Sequence, residues 1–316
     1  MIKTVLVTGA AGFIGSHLVD RLLEQGYRVI GIDNMRTGAI ENIADAMRSS
    51  SFIFLEEDVC DRNLGDKIWD DIDTIYHLAA ISSVKLSVQA PFAVNSVNVE
   101  GTLNILDIAR EKKAKHFVYT SSAAVYGNPA SLPVTEDAPV YPLSPYAASK
   151  LAAEMYCIAY GETYGIRPTI LRYFNVYGPR QELSEYSGVI PIFIDQAMND
   201  QPITVDGDGL QTRSFIHVDD VVEATTLAGQ STETDFHILN VSGSESISIV
   251  ELASMVLKFV ADTRSQITHG PARLGDVRDS IGDIERISKL LNFTPMVSLE
   301  TGLERTVSWY KFGKSM

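Results

Sequence analysis

A glycine-rich segment near the start of the chain limits the possible folds more than any other feature of the sequence. Residues 5–15 have the sequence VLVTGAAGFIG, in which an apolar run leads into Gly9, Gly12 and Gly15 and an amphipathic stretch follows. In a strand–turn–helix unit, the first glycine permits the tight turn, the second lets a pyrophosphate approach the backbone, and the third lets the helix pack closely. The GxxGxxG spacing therefore predicts a dinucleotide site at a helix N-terminus, where main-chain amides face the phosphates.

The rest of the first half alternates apolar runs with amphipathic stretches. Strands are predicted at residues 3–8, 27–32, 52–55, 74–78, 116–121 and 168–173. Helices are predicted at residues 13–25, 98–111 and 146–164. Strand–helix alternation favours a parallel sheet with right-handed crossovers, and continuous apolar strands indicate that both sheet faces are covered. The predicted fold is an α/β, Rossmann-type, doubly wound parallel sheet with a smaller α/β substrate-binding domain.

The pattern loosens after residue 173, where loops rich in Gly, Pro, Asp and Ser separate shorter elements. A chain of 316 residues is long enough for two domains. The predicted dinucleotide-binding domain is 1–174, with 213–230 returning to it. The predicted substrate-binding domain comprises 175–212 and 231–316.

Charge and cysteine content narrow the partners and the compartment. The formal net charge is -14, so the surface repels nucleic acid and anionic membranes, and an anionic substrate needs local arginines. No apolar run approaches the length of a membrane span, and the first residues lack the pattern of a signal peptide. Cys60 and Cys157 lie far apart and outside any CxxC motif, and no metal-ligand spacing occurs. These features predict a cytoplasmic protein.

Asp33 follows the second predicted strand, at the distance from the glycines expected of a residue that binds the adenosine ribose. A carboxylate there accepts hydrogen bonds from the ribose hydroxyls and repels a 2′-phosphate, which favours NAD over NADP. Arg36 lies close enough to leave that choice open. Further candidate cofactor-binding residues at the helix start and at strand ends are Phe13, Ile14, Asn34, Asp58, Val59, Leu78, Ala79 and Ala80.

Tyr146 and Lys150 form a YxxxK pair, which shares one face of a helix. A free tyrosine has a pKa of about 10, but a neighbouring ammonium and the positive ring of NAD⁺ favour the phenolate. The pair therefore predicts a general base suited to an alcohol proton. Ser122, just after a predicted strand, is placed to hydrogen-bond the same substrate oxygen at the carboxyl edge of the sheet.

Taken together, these motifs resemble the extended short-chain dehydrogenase/reductase family in its nucleotide-sugar branch, above all the UDP-glucose and UDP-N-acetylglucosamine 4-epimerases. The resemblance covers nearly the whole chain. It rests on VTGAAGFIG at 7–15, HLAA at 77–80, NVEGT at 98–102, SSAAVYG at 121–127, YAASK at 146–150, RYFNVYGPR at 172–180, RSFIHVDD at 213–220 and RLGDVRDS at 273–280.

The resemblance implies roles for residues that spacing alone does not assign. Toward the cofactor, it implies contacts by Asn98, Tyr173 and Lys150, with Lys85 bordering the nicotinamide side. Toward a UDP-sugar, it implies that Arg213 and Arg273 reach the pyrophosphate and Asp276 the ribose. The remaining implied substrate-binding residues, besides Ser122, Tyr146 and Lys85, are Asn175, Val189 and Ser280.

The same resemblance bears on the reaction. The 4,6-dehydratases carry an Asp-Glu pair where this chain has Ala123 and Ala124, and UDP-glucuronate decarboxylases carry a glutamate at the second position, so simple epimerisation is favoured. In the family, the position of Ser280 gates the sugar pocket, and a small residue admits N-acetyl groups. A UDP-glucuronate 4-epimerase remains open, because Arg180 could bind the C6 carboxylate.

Two further alternatives differ in class. A regulator that senses a dinucleotide usually lacks the Tyr–Lys pair or the glycine loop, and both are present here. A reductase that consumes NADPH is opposed by Asp33. Two helices near residues 92–109 and 147–160 pair across a dimer in the family, which predicts a homodimer.

Overall fold

The computed structural model describes residues 3–183, 188–272 and 278–313. Within these ranges, seven strands form one parallel sheet with the order β10-β6-β5-β4-β1-β2-β3. Its strands are Thr4–Thr8 (β1), Arg28–Asp33 (β2), Phe52–Glu56 (β3), Thr74–His77 (β4), His116–Ser122 (β5), Arg167–Tyr173 (β6) and Ile238–Val241 (β10). This is the predicted doubly wound, Rossmann-type arrangement.

Helices cover both faces of this sheet. Those of the first half are Phe13–Glu24 (α1), Val84–Gln89 (α2), Pro91–Asn95 (α3), Thr102–Glu111 (α4) and Pro145–Tyr164 (α5). A π-helical turn at Ser96–Gly101 joins α3 to α4, and short 3-10 helices lie at Ile40–Ile43, Ala46–Arg48, Leu64–Lys67 and Ala123–Tyr126. Because helices cover both faces, the central strands are buried over most of their length, and β4 is buried at every residue.

The remaining elements build two smaller sheets. In the part of the chain that the structure describes, β7 (Asn175–Tyr177), β9 (Thr212–His217), β11 (Ser246–Ser248) and β13 (Asp279–Ser280) form one of them. The second sheet pairs β8 (Ile203–Asp206) with β12 (Ile267–Gly270). The helices of this half are Val189–Met198 (α6), Val218–Gln230 (α7), Ile249–Val260 (α8), Glu285–Leu291 (α9) and Leu299–Phe312 (α10).

The six strands predicted in the first half are confirmed within one or two residues, but one assignment of the predicted second domain is wrong. β10, predicted to belong to the smaller domain, pairs with β6 in the large sheet. Short strands carry too little pattern to show which sheet edge they join. The segment 213–230 is divided as well: β9 pairs with β7 in the smaller sheet, whereas α7 packs on α1 in the core of the larger unit.

The helix that carries the YxxxK pair has strong signals at both ends. Ser144 is its N-cap and accepts a hydrogen bond from the Ala147 amide at 3.1 Å, and Pro145 occupies the first helical position. Gly165 ends the helix in the left-handed region, at φ +76. Ser144 and Pro145 fix the start of α5, and Tyr146 lies in this first turn. Among the residues described, none of the helices is long and apolar enough to cross a membrane.

Candidate active site

The glycine loop between β1 and α1 forms a tight cradle at the carboxyl edge of the large sheet. Gly9 has φ +72, and a Cβ there would lie 3.0 Å from the Ala79 nitrogen. A Cβ on Gly15 would lie 1.9 Å from the Gly9 oxygen, so helix and loop touch backbone to backbone. Gly12 is the N-cap of α1 and brings no side chain to its end. The first amides of α1, at Phe13 and after it, therefore suit a pyrophosphate.

Asp33, at the end of β2, holds the loop in place. Its carboxylate accepts hydrogen bonds from the amides of Ala11 at 3.0 Å and Met35 at 2.9 Å. Burial raises the pKa of Asp33, and these amides oppose the shift. A carboxylate offers about four acceptor positions, so the group can also take the ribose hydroxyls of a dinucleotide.

The neighbouring strand ends complete the predicted cofactor edge. Asn34 donates to Asp58 at 2.8 Å. The pKa of Asp58 is lowered: partial burial opposes this shift, but hydrogen bonds from the Cys60 amide and Asn34 outweigh it. Val59 is buried beside Asp58. The predicted residues Ile14, Leu78, Ala79 and Ala80 are all half-buried along the same edge.

A chain of buried hydrogen bonds, which the sequence did not indicate, connects the glycine loop with the π-helical turn that packs against α5. Thr8 Oγ1 accepts from the two amides that follow His77, so its own proton points to His77 Nδ1, at 2.7 Å. His77 Nε2 then donates to Thr102 Oγ1 at 3.0 Å, and Thr102 donates to the Asn98 carbonyl at 2.7 Å. Burial lowers the pKa of His77 to about 3, so the ring is neutral.

Asn98, in the π-helical turn, extends this chain toward α5. Its amide group donates to the Ile81 carbonyl at 3.1 Å and to Ser149 Oγ at 2.9 Å, and its oxygen accepts from the Ile81 amide at 2.8 Å. Ser149 in turn donates to the Tyr146 carbonyl at 2.7 Å. Asn98 therefore braces the start of α5; the cofactor contact that the resemblance implies stays a prediction.

Tyr146 of α5 and Ser122 at the end of β5 lie close together in the structure. Burial raises the pKa of Tyr146, and a hydrogen bond with the Ser122 side chain lowers it. Ser122 also caps the following 3-10 helix by accepting from the Ala124 amide at 3.2 Å. The serine hydroxyl is thus held by its own backbone surroundings, beside the tyrosine that is predicted to act as base.

Lys150 is buried one helical turn after Tyr146. Its Nζ donates to the Thr120 carbonyl at 2.8 Å and lies 5.0 Å from the centre of the Tyr119 ring. Burial lowers the pKa of Lys150 to about 8. The sequence argument made the lysine the group that favours the phenolate, whereas in this structure Ser122 supplies the contribution that lowers the pKa of Tyr146.

A cavity of about 320 Å³ opens where the large sheet meets the smaller one. It is lined by Val84, Ser122, Ala123, Ala124, Tyr126, Gly127, Pro129, Val134, Tyr173, Phe174, Asn175, Arg213, Asp279 and Ser280. Five of the predicted site residues therefore line the same cavity: Ser122, Tyr173, Asn175, Arg213 and Ser280. Strand pairing explains why three of them meet, since Asn175 donates to the Ser214 carbonyl at 2.9 Å and Ser280 lies opposite Arg213.

Other predicted substrate residues lie elsewhere. Lys85 is exposed on α2, next to Val84 of the cavity wall. Val189 begins α6 and packs against the core of the smaller unit, away from the cavity lining. Arg273 and Asp276 lie outside the described residues.

The structure adds cavity residues that the motifs did not single out. Asp279 accepts hydrogen bonds from the Thr212 amide at 3.1 Å and from its hydroxyl at 2.5 Å, and the hydroxyl bond lowers the pKa of Asp279. Its position directly before Ser280 was the signal available. Pro129 and Val134 reach the cavity because Val134 pairs with Gly282, a contact that no local pattern encodes.

The fold and this geometry define a class of protein. A glycine cradle at a helix start, a carboxylate at the end of β2 and a Ser–Tyr–Lys set on the same sheet edge are typical of a dinucleotide-dependent enzyme of the short-chain dehydrogenase/reductase type. The chain belongs to the NAD dependent epimerase/dehydratase family, whose profile matches residues 5–242. The cofactor of this family is NAD, and the cradle described above fits it.

Three similar proteins show how far the likeness extends. A UDP-glucose 4-epimerase of Mycolicibacterium smegmatis is 39% identical over 308 residues, which cover 97% of this chain and 98% of the relative. The solved structure of a UDP-N-acetylglucosamine 4-epimerase from Methanobrevibacter ruminantium is 35% identical, with a TM-score of 0.92 and coverage of 98% of both chains. A UDP-glucuronic acid 4-epimerase from Bacillus cereus, solved with UDP-glucuronic acid and NAD, is 36% identical, with a TM-score of 0.91 and coverage of 98% and 99%.

Proposed function

We propose that this chain interconverts the C4 epimers of UDP-sugars, UDP-glucose with UDP-galactose and UDP-N-acetylglucosamine with UDP-N-acetylgalactosamine. The observation that carries the proposal is that Ser122, the neighbour of Tyr146, lines a cavity whose wall has alanine at positions 123 and 124. This arrangement offers a base and a hydrogen-bond donor for one hydroxyl, and it offers no acid at the two positions where the related dehydratases carry one.

In the proposed reaction, Tyr146 as phenolate removes the proton from the C4 hydroxyl, and Ser122 hydrogen-bonds the oxygen that becomes the ketone. When bound, NAD supplies the acceptor and the donor of the C4 hydride. The smaller sheet, with Arg213 and Asn175, holds the nucleotide while the ketosugar rotates in the cavity and presents its other face. Once the ketosugar presents the other face of C4, return of the hydride to that carbon would be matched by return of the Tyr146 proton to the C4 oxygen, so the cofactor would be regenerated in each turnover.

The residues of the cavity wall favour a neutral sugar. Ser280 is small and lines the cavity, which leaves room for an N-acetyl group. Arg180, the cation considered for a uronic acid, forms an ion pair with Asp20 of α1 at 2.8 Å and is absent from the described cavity lining. A carboxylate at C6 therefore has no partner in Arg180, and UDP-glucuronate is the weaker candidate despite the likeness to a UDP-glucuronic acid 4-epimerase.

The proposal is tested by incubating the purified protein with UDP-glucose, UDP-N-acetylglucosamine and UDP-glucuronate separately, without added cofactor, and following the sugar protons by NMR. We expect galacto-configured products from the first two substrates and no accumulation of NADH. Conversion of UDP-glucuronate alone would overturn the substrate assignment. Inactivity toward all three, even after NAD is added, would overturn the reaction.

A homodimer is part of the proposal. The helices predicted to pair across it leave large apolar side chains exposed: Phe92 is 89% exposed, Met155 48% and Tyr156 41%. A second copy of the chain would bury this surface. Light scattering should give about twice the monomer mass of 34.6 kDa, and a mass of 34.6 kDa would contradict the dimer.

A further inference from the structure

A buried ion pair joins the catalytic helix to the large sheet. Glu154 of α5 receives two hydrogen bonds from Arg172 of β6, from Nε at 3.0 Å and from Nη2 at 2.7 Å. The side chains are 0% and 3% exposed. Two parallel bonds between a guanidinium and a carboxylate fix the mutual orientation of the groups as well as their distance.

A third element enters the same contact. Ser121 of β5 donates to the carboxylate of Glu154 at 2.5 Å. Ser121 and Arg172 lie opposite each other in the pairing of β5 with β6, and so do the next residues of the two strands, Ser122 and Tyr173. Because side chains alternate along a strand, Ser121 and Arg172 turn toward α5 while Ser122 and Tyr173 turn toward the cavity that they line.

The spacing of residues along α5 also connects the ion pair with Tyr146. Tyr146, Lys150 and Glu154 are four residues apart and therefore lie on one face of α5, one turn above another. Glu154 is thus one turn from Lys150 and two turns from Tyr146. The ion pair joins the helix that carries the base to the strand ends that carry Ser122 and Tyr173.

The pair also supports a wall of the cavity. The guanidinium of Arg172 lies 4.7 Å from the ring centre of Tyr126, which lines the cavity. The Tyr126 hydroxyl donates to Asn240 Oδ1 at 2.6 Å, on the neighbouring strand β10. The guanidinium therefore packs against one wall of the cavity, and that wall is also held by Asn240 of β10.

Stability alone does not account for two charges at this position. The cost of removing both charges from water offsets much of their attraction, and apolar residues of similar volume often stabilise a core equally well. We propose that Glu154 and Arg172 are positioning residues that set the distance between Tyr146 on α5 and Ser122 at the end of β5. This inference rests on the proposed function, because it assigns the pair to the same catalytic set.

The main test is the double variant Glu154→Leu/Arg172→Met, which replaces the ion pair with apolar side chains of similar size. We expect a folded protein with unchanged UDP affinity and an unchanged KM, but with kcat lowered about 100-fold, since a misplacement of about 1 Å has that effect on a positioned pair. A lower kcat at constant KM indicates the loss of an interaction needed in the transition state. Unchanged kcat in the folded double variant would overturn the inference.

Thr169→Val is the matched control. Thr169 lies on β6, is 2% exposed and donates to the Thr234 carbonyl at 2.9 Å, far along the strand from the cavity edge. The Thr169→Val variant should have a lower melting temperature and an unchanged kcat. If its kcat falls as far as that of the double variant, general loosening of the sheet explains the result and the inference fails.

If the double variant does not fold, the Arg172→Lys variant tests the positioning role in its place. It keeps the positive charge and removes the two-pronged bond to Glu154. We expect kcat to fall at constant KM, and an unchanged kcat would overturn the inference. The wild-type assay separates this outcome from failure of the proposed function: a wild type that converts no UDP-sugar refutes the function, whereas an active wild type with fully active variants refutes only the positioning role.

Discussion

The two halves of the candidate site are assembled in different ways. The dinucleotide edge comes from short motifs, such as Gly9–Gly15 and Asp33, that follow successive strands of one parallel sheet. The wall of the cavity comes from Asn175, Arg213 and Ser280, which lie far apart in sequence and meet through the pairing of β7, β9 and β13. Local sequence therefore specifies the first half, whereas long-range strand pairing specifies the second. Substitutions in the two halves should accordingly affect different quantities.

The largest effect is expected where the two halves meet. Tyr146→Phe removes the hydroxyl that is hydrogen-bonded to Ser122 and predicted to act as base. We expect kcat to fall about 1,000-fold, within the range for loss of a general base, while UDP and NAD still bind. Steady-state kinetics with UDP-glucose and calorimetric titration with UDP measure the two quantities. The control is Tyr164→Phe on the same helix, where the ring is half exposed and full activity is expected. A kcat within a few-fold of wild type would remove Tyr146 as the base.

In the dinucleotide half, Gly15→Ala should act on the cofactor. The added Cβ would lie 1.9 Å from the Gly9 oxygen, so the loop must shift. We expect NAD binding to weaken about 100-fold while UDP affinity is kept, since a shifted loop loses charged hydrogen bonds from its amides to the phosphates, each worth about 1.5–3 kcal/mol. Cofactor titration and the NAD content of the purified protein measure this effect.

Gly65→Ala is the control for that substitution. Its Cβ would meet Ile108 Cγ1 at an ordinary 3.4 Å, and NAD binding should stay at the wild-type level. Normal NAD affinity in Gly15→Ala, or loss of UDP binding in its place, would break the proposed separation of the two halves.

In the cavity half, Arg213→Gln should act on the substrate. Loss of a charged hydrogen-bond donor to a phosphate typically costs about 1.5–3 kcal/mol, so KM for the UDP-sugar should rise about tenfold or more with NAD content unchanged. Arg305→Gln is the control, because Arg305 is 54% exposed and its ion pair with Asp219 at 3.3 Å is worth little. An unchanged KM in Arg213→Gln would place the pyrophosphate elsewhere.

The smallest effect is on stability. Burial lowers the pKa of Lys150 to about 8, below the value of about 10.4 in an unfolded chain. Between these two pKa values the unfolded chain binds more protons at this lysine, so the contribution of Lys150 to stability rises with pH there and is lowest below about pH 8. Lys150→Met removes this penalty and should be more stable than wild type by roughly 1–3 kcal/mol near neutral pH, an advantage that shrinks as the pH rises toward about 10.

Urea unfolding at several pH values measures that difference. Lys113→Met, at an exposed position near the end of α4, should show no such pH-dependent gain. A Lys150→Met variant that is less stable than wild type near neutral pH would show that the buried ammonium contributes more through its hydrogen bond to Thr120 than its burial costs.

The features specified by local motifs could be predicted from the sequence, whereas those that depend on long-range pairing could not. The large sheet, the glycine cradle, Asp33 and the Ser122–Tyr146 pair follow from local motifs, and each lies where the sequence placed it. Val134 could not be predicted as a cavity residue, because it reaches the cavity through pairing with the distant Gly282. Asp279 was signalled only by its position directly before Ser280, and its pairing with Thr212 of β9 could not be predicted. The place of β10 in the large sheet was missed for the same reason.

The buried hydrogen bonds and the buried ion pair also could not be predicted from the sequence. The links from Thr8 through His77 to Asn98 depend on which donors face which acceptors once the chain is folded. A sequence shows the motif HLAA but not the partners of its histidine. The ion pair of Glu154 and Arg172 was missed in the same way, although both residues lie inside or beside motifs that were recognised.

The central claim is that a hydride leaves C4 and returns to C4 within one active site. The most direct measurement uses UDP-glucose carrying deuterium at C4, incubated with the purified protein in ordinary water without added cofactor. The account predicts UDP-galactose that retains the deuterium at C4, with no net NADH, as seen by NMR and absorbance. Loss of the label to water, or a product altered at any carbon other than C4, would contradict the account.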